Sequence, residues 1–103
     1  MAAAKNSAGA LGTSPLRPVT VQGVEVHVDD SKAASWKAFK MVGVISDPDA
    51  SVTAKMQAMF DLIGYVTDTD EDEIVERCGG DDASVQDVME FATALVAEAV
   101  PKN

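Results

Sequence analysis

Between Val19 and Val28 apolar and polar residues alternate. Valines stand at 19, 21, 24 and 26, with Thr20, Glu25 and His27 among them. A period of two marks a strand with one buried face. Gln22-Gly23 interrupts the alternation as a two-residue hairpin loop does. Placing these two residues in the loop pairs Val21 with Val24 and Val19 with Val26. The four valines then share one apolar face, while Thr20, Glu25 and His27 share the polar one. The predicted strands are 19–21 and 24–28.

Beyond Val28 the period becomes helical. A first helix is expected from Asp30 or Ser31, both good N-caps. It carries Ala33, Trp36, Phe39 and Val42 inward and Lys32, Lys37 and Lys40 outward. Gly43 or Ser46 loosens its end, and Asp47-Pro48 resets the chain with proline at a first helical position. The second helix has the clearest stripe: Val52, Met56, Met59, Phe60 and Ile63. Gly64 is expected to stop it, with Tyr65-Val66 folding back on its last turn. A short third helix starts at Thr67 or Thr69, with acids in its first turn where the helix dipole favours them. It buries Ile74, Val75 and Cys78 and ends at Gly79-Gly80. A fourth starts at Ser84 with the stripe Val85, Val88, Met89, Ala92, Leu95, Val96 and Ala99, and Pro101 ends it.

The predicted fold class is α+β, mainly helical: an N-terminal β-hairpin followed by a bundle of about four short helices. A lone hairpin is not stable in water, so this one must lie on the helices or add to another sheet. Residues 1–17 are rich in Ala, Gly, Ser and Pro and read as a flexible arm. Residues 18–100 form a single domain, and 101–103 a short tail. A chain of 103 residues buries roughly 60–70% of its unfolded surface, enough for one modest core.

Charge narrows the list of partners. The formal net charge is −9, and all of it resides between Asp68 and Glu90, where ten acids face one base, Arg77. Such a surface disfavours nucleic acid, which demands basic residues to displace counterions. It disfavours anionic membranes likewise. A basic or amphipathic protein partner fits, and so does plain solubility. No run has the length of a transmembrane helix, and the N-terminus has no apolar core of a secretory signal. The single cysteine, Cys78, excludes an internal disulfide and a multi-cysteine zinc site. The expected setting is the cytoplasm.

Candidate chemistry is thin. The run Asp68–Glu73 resembles calcium-loop material, but the sixth and twelfth positions of an EF-hand counted from Asp68 hold Glu73 and Gly79, not glycine and glutamate. A capped acidic helix start explains the run. Paired carboxylates serve acid–base catalysis, yet here they cluster on an exposed helix face with no histidine nearby in sequence. His27 is the only histidine and reads as an exposed strand residue. Cys78 lies four residues after Ile74 and reads as a small buried apolar residue, with neighbouring acids that disfavour a thiolate. An acidic helical protein with an Asp30-Ser31 pair is similar to acyl carriers, whose serine holds phosphopantetheine. Lys32 in place of an apolar residue and the preceding hairpin depart from that pattern. No catalytic residue, cofactor or metal site is expected.

Met41, Met56, Met59 and Met89 lie on or near the helical stripes. Methionine suits both ordinary core packing and an adaptable surface for variable partners. Together with Val24 and Val26 of the hairpin, they are the candidate partner-binding residues.

The hairpin VTVQGVEVHVD, the helix opening DSKAASWKAF, the stripe MQAMFDLIG, the acidic link to a short helix and the last helix SVQDVMEFATALVAEA together resemble the tail assembly chaperones of long-tailed phages and prophages. The resemblance spans about Val19 to Val100 and is one of layout rather than of a fixed motif. It implies a non-enzymatic protein of the bacterial host cytoplasm. Such a protein binds the long helical tape-measure protein and keeps it soluble while tail-tube subunits polymerise around it. It also implies helix-in-groove binding and self-association, for which the hairpin edge offers a route. No family residue roles transfer to individual positions. Another small acidic adaptor or virion-morphogenesis protein is the alternative.

Overall fold

The computed structural model describes residues 16–100. The expected tail 101–103 and nearly all of the arm 1–17 lie outside them. Arg17 does not belong to the arm: it opens the first strand. Strands β1 (Arg17–Val21) and β2 (Val24–Val28) form a two-stranded antiparallel sheet. Val19 pairs with Val26 and Val21 with Val24, the register read from the alternation. Gln22 and Gly23 both have positive φ, 51° and 81°, as the primed hairpin turns require. Val19, Val21, Val26 and Val28 are buried and Val24 is half-buried, while Thr20 and Glu25 face water.

Five helices follow: α1 (Asp30–Ala33), α2 (Trp36–Ser46), α3 (Val52–Val66), α4 (Glu71–Arg77) and α5 (Val85–Ala99), with a 3-10 turn at Gly80–Asp82 before α5. The fold is α+β and mainly helical. Each helix begins at a side-chain cap that satisfies otherwise unpaired backbone donors. Asp29 accepts from the Ser31 and Lys32 amides, Ser35 from Ala38, Ser51 from Ala54, Asp70 from Glu73 and Ser84 from Asp87.

Several expected boundaries move for that reason. The predicted first helix is two. Ser35 accepts from the Ala38 amide at 3.1 Å and donates its hydroxyl to the Lys32 carbonyl at 2.6 Å, which ends one helix and caps the next. The restart changes the helical phase. The inward stripe of α2 becomes Ala38, Met41, Val42 and Ile45. Trp36 and Phe39, expected in the core, are 72% and 64% exposed.

Pro48 does not start a helix. Asp47 holds Pro48-Asp49 in a turn by accepting from the Asp49 amide at 2.9 Å and the Ala50 amide at 3.2 Å, and α3 starts at Val52. Gly64 does not stop α3, which runs through Tyr65 and Val66 to a Thr67 cap. Packing of Ile63 and Val66, both buried, outweighs a glycine cost of about 1 kcal/mol. Helix α4 starts after Asp70 rather than at Thr67 or Thr69, because Thr67 spends its hydroxyl on the Ile63 carbonyl at 2.7 Å. The last cap is the predicted one, and Gly79 and Gly80 close α4 with φ of 122° and 63°.

One core joins the two parts. The hairpin valines meet Leu62, Ile63, Val66, Ile74, Phe91, Ala92 and Leu95 in a single buried cluster. Phe91, outside the predicted stripe of α5, is buried, whereas Val52 and Val85, predicted inside their stripes, are 74% and 75% exposed. Both valines are the first residues of their helices. The hairpin is also tied to the backbone after α3. The Asp29 amide donates to the Val66 carbonyl at 2.7 Å, the Asp68 amide donates to the His27 carbonyl at 3.1 Å, and Val28 bridges Thr67.

Phe60→Ala empties a core site and should lower the unfolding free energy by roughly 3–5 kcal/mol. Trp36→Ala should change it by less than about 0.5 kcal/mol. Urea denaturation of both variants checks the phase of α2; a large loss for Trp36→Ala contradicts it.

Candidate functional site

The methionines and valines singled out in the sequence separate in space. Met59 and Val26 are core residues, 7% and 3% exposed, and are unavailable to a partner in this fold. Val24 and Met41 are half-buried and pack against the core from the hairpin and α2. Met56 and Met89 are half-buried, and the fold brings them together. They line an open groove of ≈ 200 Å³ between α3, α4 and α5.

The groove is built from three helices and the turn that joins two of them. Helix α3 supplies Met56 and Phe60, α4 supplies Glu71 and Val75, and α5 supplies Val85, Val88 and Met89. Gly80, Ala83 and Ser84 form the wall where the chain leaves α4 and enters α5. The positive φ values at Gly79 and Gly80 make that sharp reversal possible. The lining is mainly apolar with two adaptable thioethers. Val85 stands exposed at its lip, and the exposed acids Glu71, Asp72, Asp81, Asp82 and Asp87 lie on the elements that border it. An apolar floor with an acidic border suits an amphipathic segment whose apolar stripe is flanked by basic residues. Its polar lining side chains are Glu71 and Ser84, and the Ser84 hydroxyl accepts from the Asp87 amide at 3.0 Å.

Sequence reasoning singled out Met56 and Met89 as partner-binding candidates, but placed Phe60, Val75, Val85 and Val88 inward. Val75 was assigned inward with Ile74, and the phase of so short a helix leaves one of the two half-covered. A second shallow hollow runs along the other side of Met89, bordered by Gln22, Gln86, Glu90 and Ala94. The outer edge of β2 is partly covered by the Val28–Thr67 bridge. Strand β1 pairs with β2 alone among the described strands, and Pro18 and Arg17 blunt its free edge. Arg17 is held by Asp30 at 3.0 Å and donates to the Glu98 carbonyl at 3.2 Å. The Asp30 hydrogen bond, opposed by slight desolvation, raises its pKa above the usual value.

The remaining candidate side chains have structural partners. Ser31 donates its hydroxyl to Asp29 at 2.7 Å, completing the α1 cap. That bond, against a smaller desolvation effect, holds the Asp29 carboxyl below its ordinary pKa. Cys78 is half-buried against the core. Among the described residues no three His, Cys, Asp or Glu side chains converge as a metal site, and no helix is long and apolar enough to cross a membrane.

His27 is more engaged than an exposed strand histidine. Its ring Nδ1 lies 2.8 Å from one Asp68 oxygen, and its amide donates to the other at 3.0 Å. Its Nε2 lies 3.5 Å from Glu25. The contact clamps β2 to the link between α3 and α4, across 41 residues of chain. Desolvation pushes the Asp68 carboxyl up. The His27 amide, the ring hydrogen bond and the ring's charge together outweigh it and hold the carboxyl below its ordinary value.

Compared with models of protein families, with curated proteins and with solved structures, the chain matches none.

The Asp68 clamp makes stability depend on pH. A carboxyl whose folded pKa is depressed contributes fully above its unfolded value, near pH 4, and loses that contribution as pH falls through the lower folded value. Asp68→Asn should therefore lower the melting temperature at neutral pH and reduce the further loss on going from about pH 5 to about pH 2. Melting curves of both proteins across that range test it; parallel curves contradict the clamp.

Proposed function

We propose that this protein is a non-enzymatic tail assembly chaperone of a long-tailed phage or prophage, working in the bacterial host cytoplasm. Its groove between α3, α4 and α5 takes an amphipathic helix of the tape-measure protein. The observation that carries the reading is the convergence of Met56 and Met89 on one largely apolar groove that Glu71 also lines, with further exposed acids on the adjoining elements. A tape-measure protein is a long helix with apolar stripes. Holding it soluble requires a surface that accepts many similar segments rather than one sequence. Thioether side chains adapt to such variation at low steric cost. The acids keep the complex hydrated and select segments with basic flanks.

The layout supports the same reading. A hairpin of matched register leads into a helical body, as the family resemblance implies. Several copies along one tape-measure chain would shield its length. The part of the β1 edge beyond Pro18 is the route left for association between copies, since the edge of β2 meets Thr67.

The test is co-expression with the tape-measure protein of the same genome, followed by size exclusion with light scattering. The tape-measure protein should become soluble and co-elute with several copies of this chain. Val85→Asp, at an exposed position, should leave the fold intact and weaken that capture by about tenfold or more. An insoluble tape-measure protein beside a freely eluting chain would favour a small acidic adaptor instead.

A further inference from the structure

The first turns of α2 carry a surface unlike the rest of the molecule. Trp36 and Phe39 stack with ring centroids 5.3 Å apart, yet both stand largely in water, at 72% and 64% exposure. Val44, further along α2 on its flank, is 39% exposed. Singly exposed apolar residues are ordinary; a contiguous aromatic ridge is a sign of a partner. The core does not need these rings, because Ala38, Met41, Val42 and Ile45 supply the inward face of α2.

Charge says what kind of partner. From Ser31 to Ser46 the chain holds Lys32, Lys37 and Lys40 and no acid, in a protein of net charge −9. Among the described residues none of these lysines forms an ion pair with a carboxylate. Two are positioned over the Tyr65 ring, with the Lys37 Nζ 4.5 Å and the Lys32 Nζ 5.4 Å from its centroid. Held in this way, they lose less freedom when they meet an anion. Stacked aromatics on a helix that also carries Lys37 and Lys40 form the usual anatomy of an interface anchor.

We propose that the Trp36–Phe39 ridge is a second docking surface, which binds a protein segment presenting an apolar side chain beside acidic residues. It is distinct from the groove, whose border has the opposite charge. The chain's own first fifteen residues hold Lys5 and no acid, so they lack the countercharge. Three lysines are a weak lure for an anionic bilayer when the remainder of the surface is acidic.

Trp36 is the only tryptophan, so its emission reports on this face alone. The probe is a tryptophan-free amphipathic helical peptide with leucines on one face and glutamates beside them, paired with a counterpart bearing lysines. The glutamate peptide should shift Trp36 emission to shorter wavelength, saturably, and more weakly as salt rises. The lysine peptide should act on Trp36 at least about tenfold more weakly, even where it enters the groove. Phe39→Ala should weaken the glutamate peptide by about tenfold, and Lys37→Glu with Lys40→Glu should reverse the preference. All three positions are exposed, so melting curves should remain unchanged.

Four outcomes overturn the proposal. In the first, neither peptide moves the emission; in the second, both act equally. In the third, phosphatidylglycerol vesicles shift it while the glutamate peptide does not, which assigns the ridge to a membrane surface. In the fourth, protein concentration alone shifts it together with a rise in mass that Phe39→Ala abolishes, which assigns the ridge to a second copy.

Discussion

The structure depends on burial of the hairpin's valine face. Two strands of five residues do not persist alone in water. Here they bring four buried valines to a core that the helices cannot complete without them. Val28, fully buried, sits where β2 meets the end of α3. Backbone bonds from Asp29 to Val66 and from Asp68 to His27 hold that junction. The His27–Asp68 contact adds a side-chain clamp at the same place. With α3 anchored to the hairpin, its opposite end is free to form one wall of the groove with α4 and α5.

The hairpin was legible because its signals are local and agree. Five valines at period two fix the faces, and a glycine at the second loop position fixes the register. The helices were legible as elements because each has an apolar stripe. Their boundaries were less so, because caps decide them and the candidates compete. Asp29, Asp30 and Ser31 are all good N-caps, and only the structure shows that Asp29 accepts while Ser31 donates to it. Thr67 and Thr69 read as starts of α4, yet Asp70 caps it.

The phase of α2 was the main misreading, and its cause is specific. A continuous helix from Asp30 makes Trp36 and Phe39 the natural inward pair. Ser35 breaks that continuity and lets Ala38 face inward, where its small side chain permits close approach to α3. Two stripes on one helix were each plausible, and the larger side chains were not the buried ones. Sequence periodicity gives a stripe but not its depth at the ends, so Val52 and Val85 read as core. The groove was half legible. Met56 and Met89 stood out by type, but nothing in the sequence said that they would share a site while Met59 joined the core.

The molecule therefore carries two apolar surfaces of opposite electrostatic setting. One is a methionine-lined groove bordered by acids, the other an aromatic ridge bordered by lysines. Both are free only because the hairpin, rather than either surface, completes the core. Native-state hydrogen exchange tests this most directly. The Asp29 and Asp68 amides, which tie the hairpin to the helices, should open with a free energy within about 1 kcal/mol of the Ile63 and Leu95 amides in α3 and α5. If Asp29 and Asp68 exchange through a much easier opening while Ile63 and Leu95 stay protected, the hairpin is an accessory and the helices hold together without it.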